Sequence, residues 1–91
     1  MAFQVNYSVE AIQQLKKLSA FDRGAILDEI DQVLTVNPTL ESKARVKLLR
    51  QPAPTQYRLR VGEFRVFYDV DGQTVLVIQI LSKQAAIDYL G

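Results

Sequence analysis

The stretch "YRLRVGEFRVFYDVDGQTVLVIQIL", Tyr57–Leu81, decides the fold. It divides into three strands, Gln56–Val61, Glu63–Val70 and Thr74–Leu81, punctuated by two glycines. Glycine at the first central position of Gly62-Glu63 suits a two-residue type II′ hairpin turn. That turn pairs Val61 with Phe64, Arg60 with Arg65, Leu59 with Val66, Arg58 with Phe67 and Tyr57 with Tyr68. Side chains alternate along a strand, so Tyr57, Leu59, Val61, Phe64, Val66 and Tyr68 form one apolar face. Arg58, Arg60, Arg65 and Phe67 form the other. Asp71-Gly72 reads as a type I′ turn, which would pair Phe67 with Leu76 and Arg65 with Ile78. The last strand is apolar on both faces, as befits a central strand.

Working outward, "FQVNY" alternates and predicts a first strand, Phe3–Tyr7. Ser8 is a suitable N-cap for a helix from Val9, with Glu10 in its first turn. Val9, Ile12, Leu15 and Leu18 supply an apolar stripe. A second helix starts near Asp22 as N-cap, carries Ala25, Ile26, Ile30, Val33 and Leu34 inward, and stops at Asn37-Pro38. "RVKLL" offers a short strand, and "QPAPTQ" a loop, since proline lacks a backbone donor. "SKQAAIDYL" predicts a C-terminal helix capped by Ser82. The expected architecture is α+β: one domain over residues 1–91, with an antiparallel-dominated four-stranded sheet. An N-terminal helical hairpin covers one face, and a short helix closes the chain.

With 91 residues there is room for one core. The chain contains no cysteine and no histidine, so disulfides, thiolate metal sites and the commonest general base are excluded. No metal or cofactor site is expected. The N-terminus lacks the basic and apolar regions of a signal peptide, and the longest apolar run is too short to span a bilayer. A cytoplasmic protein without membrane contact is the expectation.

The net charge of +1 conceals a strong asymmetry. Lys43, Arg45, Lys47, Arg50, Arg58, Arg60 and Arg65 face a single acid, Glu63, between residues 43 and 65; elsewhere four bases meet nine acids. Such a local excess marks either a polyanion site or an acidic partner, the plain alternative being a solvated surface. Arg60 directly opposite Arg65 is unfavourable unless something neutralises the pair. Arginine forks match phosphate oxygens and stack on bases, so these seven residues are candidates for nucleic-acid binding. Cross-strand ion pairs to Glu63 or Asp69, or an acidic partner segment, would satisfy them equally. Arg58, Arg60, Phe67, Leu76 and Ile78 together outline a groove for an amphipathic helix of another protein.

The Tyr57–Leu81 stretch, preceded by "KLLRQPAPTQ" and opened by "FQVNYSVEAIQQLKKL", resembles the RelE/ParE superfamily of bacterial type II toxin–antitoxin systems. The resemblance spans nearly the whole chain, and "YRLRVGEFRVFY" is its specific part. It implies a RelE-like sheet with a helical hairpin, and a cognate antitoxin that wraps the toxin. Operator DNA would be reached only through that antitoxin. RelE-like members cut messenger RNA on the ribosome, whereas ParE-like members inhibit DNA gyrase. Arg65 matches the arginine of the family's F/Y-R-V motif, and Arg58 and Arg60 match the basic positions before it. The C-terminal "LSKQAAIDYL" departs from the nuclease pattern: Lys83 keeps a positive charge, Gln84 replaces a common arginine, and Tyr89 lies near the family's tyrosine.

For a nuclease, the resemblance implies metal-free attack of a 2′-hydroxyl on the adjacent phosphorus, which needs a base, an acid and cations. Arg65 and Arg58 would stabilise charge, with Arg60 beside them. Lys47, Lys83 and Tyr89 would move protons, their pKa values lowered by neighbouring cations. An arginine on a ligand face contributes little to a core, so Arg65 is expected to be dispensable for folding. The alternatives are a gyrase inhibitor, which the Gln84 departure favours, and a module that only binds its antitoxin.

Overall fold

The computed structural model describes residues 2–91. In chain order it comprises β1 (Gln4–Tyr7), α1 (Val9–Lys16), α2 (Ala20–Glu29), β2 (Val46–Leu48), β3 (Tyr57–Val61), β4 (Phe64–Asp71), β5 (Thr74–Ser82) and α3 (Lys83–Leu90). A π-helical turn, Ile30–Leu34, prolongs α2. The strands form a single sheet in the order β1-β5-β4-β3-β2. β1 runs parallel to β5 and every other pairing is antiparallel. The sheet is therefore five-stranded and mixed, which corrects the four-stranded antiparallel-dominated expectation. "RVKLL" supplies the fifth strand, and the parallel pair arises because the α1–α2 hairpin carries the chain from one edge of the sheet toward the other.

The β3–β4 register agrees with the expectation at all five pairs, Tyr57↔Tyr68 to Val61↔Phe64. Gly62 has φ 56° and, among the described residues, no non-glycine residue has positive φ, the signature of a II′ rather than a I′ turn. The β4–β5 register differs. Asp71 pairs with Thr74, so the turn is Gly72-Gln73, with Gly72 at φ 61°. A I′ turn at Asp71-Gly72 would have forced Asp71 into the left-handed region. The later turn moves the pairing by two residues, and a bulge between Tyr68↔Val77 and Phe67↔Gln79, which leaves Ile78 extra, adds a third. Phe67 thus pairs with Gln79 instead of Leu76, and Arg65 with Leu81 instead of Ile78.

Leu59, Val66, Tyr68, Val75, Val77 and Ile80 pack against Ala11 and Leu15 of α1 and Ile26, Ile30 and Leu34 of the second helix. The α1 stripe is only half right, because Val9 and Ile12 remain 67% and 42% exposed. Three residues advance about 300° around a helix, so a strict three-residue repeat drifts off the buried face. The second helix is capped by Ser19, whose hydroxyl accepts from the Asp22 N–H at 3.1 Å. Asp22 is therefore a first-turn residue rather than the cap, well placed for the helix dipole.

Ser8 does two jobs. Its Oγ accepts from Ala11 N–H (3.1 Å) as N-cap and donates to the Ile78 carbonyl (2.6 Å). Beyond Tyr7, β5 has no strand neighbour on that side, and Gln14 takes over: its Oε1 accepts from Ile80 N–H and its Nε2 donates to Gln79 Oε1, both at 2.6 Å. Ser8→Ala should lower stability by about 1–2 kcal/mol, because a helix cap and a sheet-edge bond are lost together. Urea unfolding monitored by circular dichroism checks this. Among the described residues, no helix is long and apolar enough to cross a membrane.

Candidate nucleic-acid interface

The sheet face away from the helical hairpin carries the arginines in two cross-strand rows. One runs Lys47 (β2), Arg58 (β3), Phe67 (β4), Gln79 (β5); the other runs Arg60, Arg65, Leu81. The Arg60 N–H donates to the Arg45 carbonyl at 2.8 Å, which extends the second row toward Arg45. Lys43, Lys47, Arg50 and Arg60 are exposed. Arg45 is exposed too, with Glu29 at 3.8 Å as its ion-pair partner.

Arg58 is the distinctive member. It is half-buried, and among the described residues its buried Nε has no hydrogen-bond partner. Burial first, then the charges of Arg65 and Arg60, hold its guanidinium below the ordinary arginine value. A groove of about 370 Å³ opens beside it, lined by Glu41, Ser42, Lys43, Val46, Lys47 and Arg58. Glu41 and Ser42 were invisible to sequence reasoning, for they lie on an irregular segment with no periodicity to place them. The Glu41 Oε1 accepts from the Leu48 N–H at 2.9 Å, which ties the carboxylate to the β2 edge.

Arg65 behaves differently. It is only 8% exposed, and its Nη1 donates to the carbonyls of Gly62 and Phe64, each at 2.9 Å. The side chain folds back onto the β3–β4 turn, which argues for a part in folding and against the expectation that Arg65 is dispensable. Phe67 is 0% exposed and lies beneath Leu49, Ala86 and Tyr89. The Tyr89 ring meets it edge-on, with centroids 4.9 Å apart and planes at 61°. With α3 in place, Phe67 therefore cannot contribute surface to a partner. Leu76 is 41% exposed and Ile78 half-buried. The covered Phe67 separates them from Arg58 and Arg60, so the single groove outlined by the sequence becomes two surfaces.

Tyr89 also departs from expectation. Burial, then the charge of Asp69, raises its phenol pKa above 10.0, the opposite of the lowering expected from cations. The phenol stays protonated at neutral pH, suited to give a proton rather than take one. Lys83 opens α3; its side chain is exposed and its N–H donates to the Glu63 carbonyl at 2.8 Å, beside the β3–β4 turn. Burial likewise raises Tyr7 and Tyr68. All three phenols have folded pKa values above the unfolded value, so their contribution to stability is complete below pH 10.0 and is lost as pH rises through the folded values. Stability should be insensitive to these groups at neutral pH and fall steeply above pH 10, and Tyr68→Phe should blunt that alkaline fall. Urea titrations across pH, read with phenolate absorbance, check it.

The family model for the ParE toxin of the type II toxin–antitoxin system parDE matches residues 5–86, most of the chain. The chain belongs to this toxin family. Its fold is shared with solved RelE toxins at low sequence identity. The RelBE2 toxin–antitoxin complex of Mycobacterium tuberculosis superposes with a TM-score of 0.74 at 22% identity, covering 90% of this chain and 99% of that one. The archaeal RelE–RelB complex of Pyrococcus horikoshii gives 0.74 at 22% identity, covering 91% and 97%. A free-state double-arginine mutant of Escherichia coli RelE gives 0.73 at 20% identity, covering 99% and 95%. No curated protein sequence matches significantly.

Proposed function

We propose that this toxin of a type II toxin–antitoxin system is a metal-free endoribonuclease that cuts messenger RNA on the ribosome. The observation that carries the proposal is the row Lys47, Arg58, Phe67 with Tyr89 packed on Phe67. Neighbouring strands lie about 4.8 Å apart, so Lys47 and Tyr89 flank Arg58 at roughly one strand spacing on either side. A phosphate over the Arg58 guanidinium would meet an unused donor there. The neutral amine of Lys47, or of Lys83 from the far side, would take the 2′-hydroxyl proton as the 2′-oxygen bonds to phosphorus, and the Tyr89 phenol would give its proton to the 5′-oxygen as the P–O5′ bond breaks. Arg58 and Arg60 would stabilise the phosphorane charge, with Arg65 acting through the turn that holds Arg60 in place. Lys43, Arg45 and Arg50 would follow the backbone on either side. The ribosome would orient the strand, which suits a site with no histidine base.

The fold neighbours are toxins, several solved with antitoxins bound, and a cognate antitoxin is the partner proposed here. It would cover the Arg58 and Arg60 surface and use Leu76 and Ile78 separately. Operator DNA would be reached only through the antitoxin, and the cytoplasm is the compartment in which these partners are found.

The matched family model and Gln84, in the first turn of α3, favour a second reading as a DNA gyrase inhibitor. Two assays on the induced or purified protein separate the readings. Cleavage of a reporter message in primer extension supports the nuclease, and inhibited supercoiling by purified gyrase with intact messages supports the alternative. Neither effect would leave a module that only binds its antitoxin.

A further inference from the structure

The groove beside Arg58 holds one acid among three cations: Glu41 lines it together with Lys43, Lys47 and Arg58. A groove built only to hold phosphate gains nothing from a carboxylate, which repels the same anion. Nor does Glu41 neutralise its neighbours, because among the described residues it forms an ion pair with none of the three. It is tied to the backbone instead: Oε1 accepts from the Leu48 N–H at 2.9 Å, which pins the carboxylate at the β2 edge. Among the described residues, Oε2 has no hydrogen-bond partner, and Oε1 keeps a second lone pair. Ser42 is held in a similar way. Its Oγ accepts from the Val46 N–H at 3.3 Å and its own N–H donates to the Val46 carbonyl at 3.0 Å. The Ser42 hydroxyl hydrogen is left to donate elsewhere.

We infer that this groove reads the base of a bound nucleotide and that Glu41 selects guanine. A nucleotide is anionic at its phosphate and carries N–H donors on its base, which is the groove's own mixture in reverse. Guanine presents two adjacent donors, N1–H and N2–H, to a carboxylate, with the O6 acceptor beside them. Uracil presents one donor between two carbonyl oxygens that a carboxylate repels. Adenine and cytosine present an amino group beside an unprotonated ring nitrogen, so each offers one donor at most. Glu41 takes both guanine donors, the Ser42 hydroxyl meets O6, and the adjoining phosphate lies over Arg58. A protein segment is the poorer occupant: an acidic one sets a carboxylate against Glu41, and a basic one meets three cations. The inference rests on the reading of this face as RNA-binding and names the base preference which that reading leaves open.

Binding tests it without recourse to cleavage. The purified chain is titrated with GMP, AMP, CMP and UMP while its amide spectrum is followed by NMR. GMP should bind about tenfold more tightly than UMP, within the range that one good bidentate base contact discriminates. It should also shift the Leu48 amide, whose acceptor is Glu41. Glu41→Gln keeps an acceptor for that amide and removes the charge, so the melting temperature should hold while the four affinities converge. No saturable shift with GMP, equal affinity for the four nucleotides, or a preference that survives Glu41→Gln overturns the inference. On the ribosome, cut sites of the parent should fall beside guanine, and those of Glu41→Gln should lose that bias. Cleavage blind to guanine overturns this inference alone, whereas guanine-selective binding with every message intact overturns the nuclease reading alone.

Discussion

Arg58→Ala should abolish most of the proposed RNA cleavage, by about 10²–10³-fold, the usual cost of losing one charge-stabilising donor at a transition state. The same change should leave the melting temperature unchanged or raise it. Both outcomes follow from one feature: a half-buried guanidinium whose Nε has no partner and whose neighbours, Arg65 and Arg60, are also cationic. Such a group destabilises the free protein and becomes favourable only when an anion arrives. Its folded pKa is depressed, so removing the charge relieves a cost rather than incurring one. Arg58→Lys should recover only part of the activity, because an ammonium lacks the planar fork that grips two phosphate oxygens. Primer extension on a reporter message and thermal unfolding of the same variants check the pair of effects. Full cleavage by Arg58→Ala would remove the site from this face.

Arg65→Ala should behave in the opposite way. It should lower stability by about 1–3 kcal/mol, the range for leaving buried polar groups without their partner. At roughly 4–8 °C per kcal/mol for a domain of this size, the melting point should drop visibly. The cause is the pair of bonds from Nη1 to the Gly62 and Phe64 carbonyls, made by a side chain that is almost wholly enclosed. Those bonds close the β3–β4 turn from the side, in a direction the Arg60↔Arg65 ladder cannot reach. Loss of toxicity in Arg65→Ala would thus accompany loss of structure, and Arg65→Lys should restore only part of the stability, since one ammonium cannot reproduce a guanidinium's geometry. Equilibrium urea unfolding decides it. A variant as stable as the parent would show that Arg65 serves the ligand and not the turn.

These two arginines also show where sequence reasoning stops. Alternation around Gly62 placed Arg58, Arg60 and Arg65 on one face, and the structure agrees. What differs is depth: one guanidinium is left short of a partner and another is spent on the turn. Depth depends on how α3 and the segment from Leu49 to Gln56 close over the sheet, and no local pattern encodes that. Phe67 is the clearest case. Its strand position was legible, but its burial under Leu49, Ala86 and Tyr89 comes from residues as many as 22 positions away. The rise of the Tyr89 pKa has the same origin, because the phenol meets Asp69 and a covered surface rather than the arginine row.

By itself the sequence determined the helical hairpin, the Ser8 and Ser82 caps and the whole β3–β4 register, since each depends on contacts between near neighbours. Tertiary structure alone decided that β1 lies parallel to β5 and that a bulge at Ile78 shifts the last strand. A two-residue turn constrains its own flanking strands and little else. A parallel pair about 70 residues apart in the chain must instead be selected by the total burial it permits, and that sum exists only once the whole chain has closed around its core.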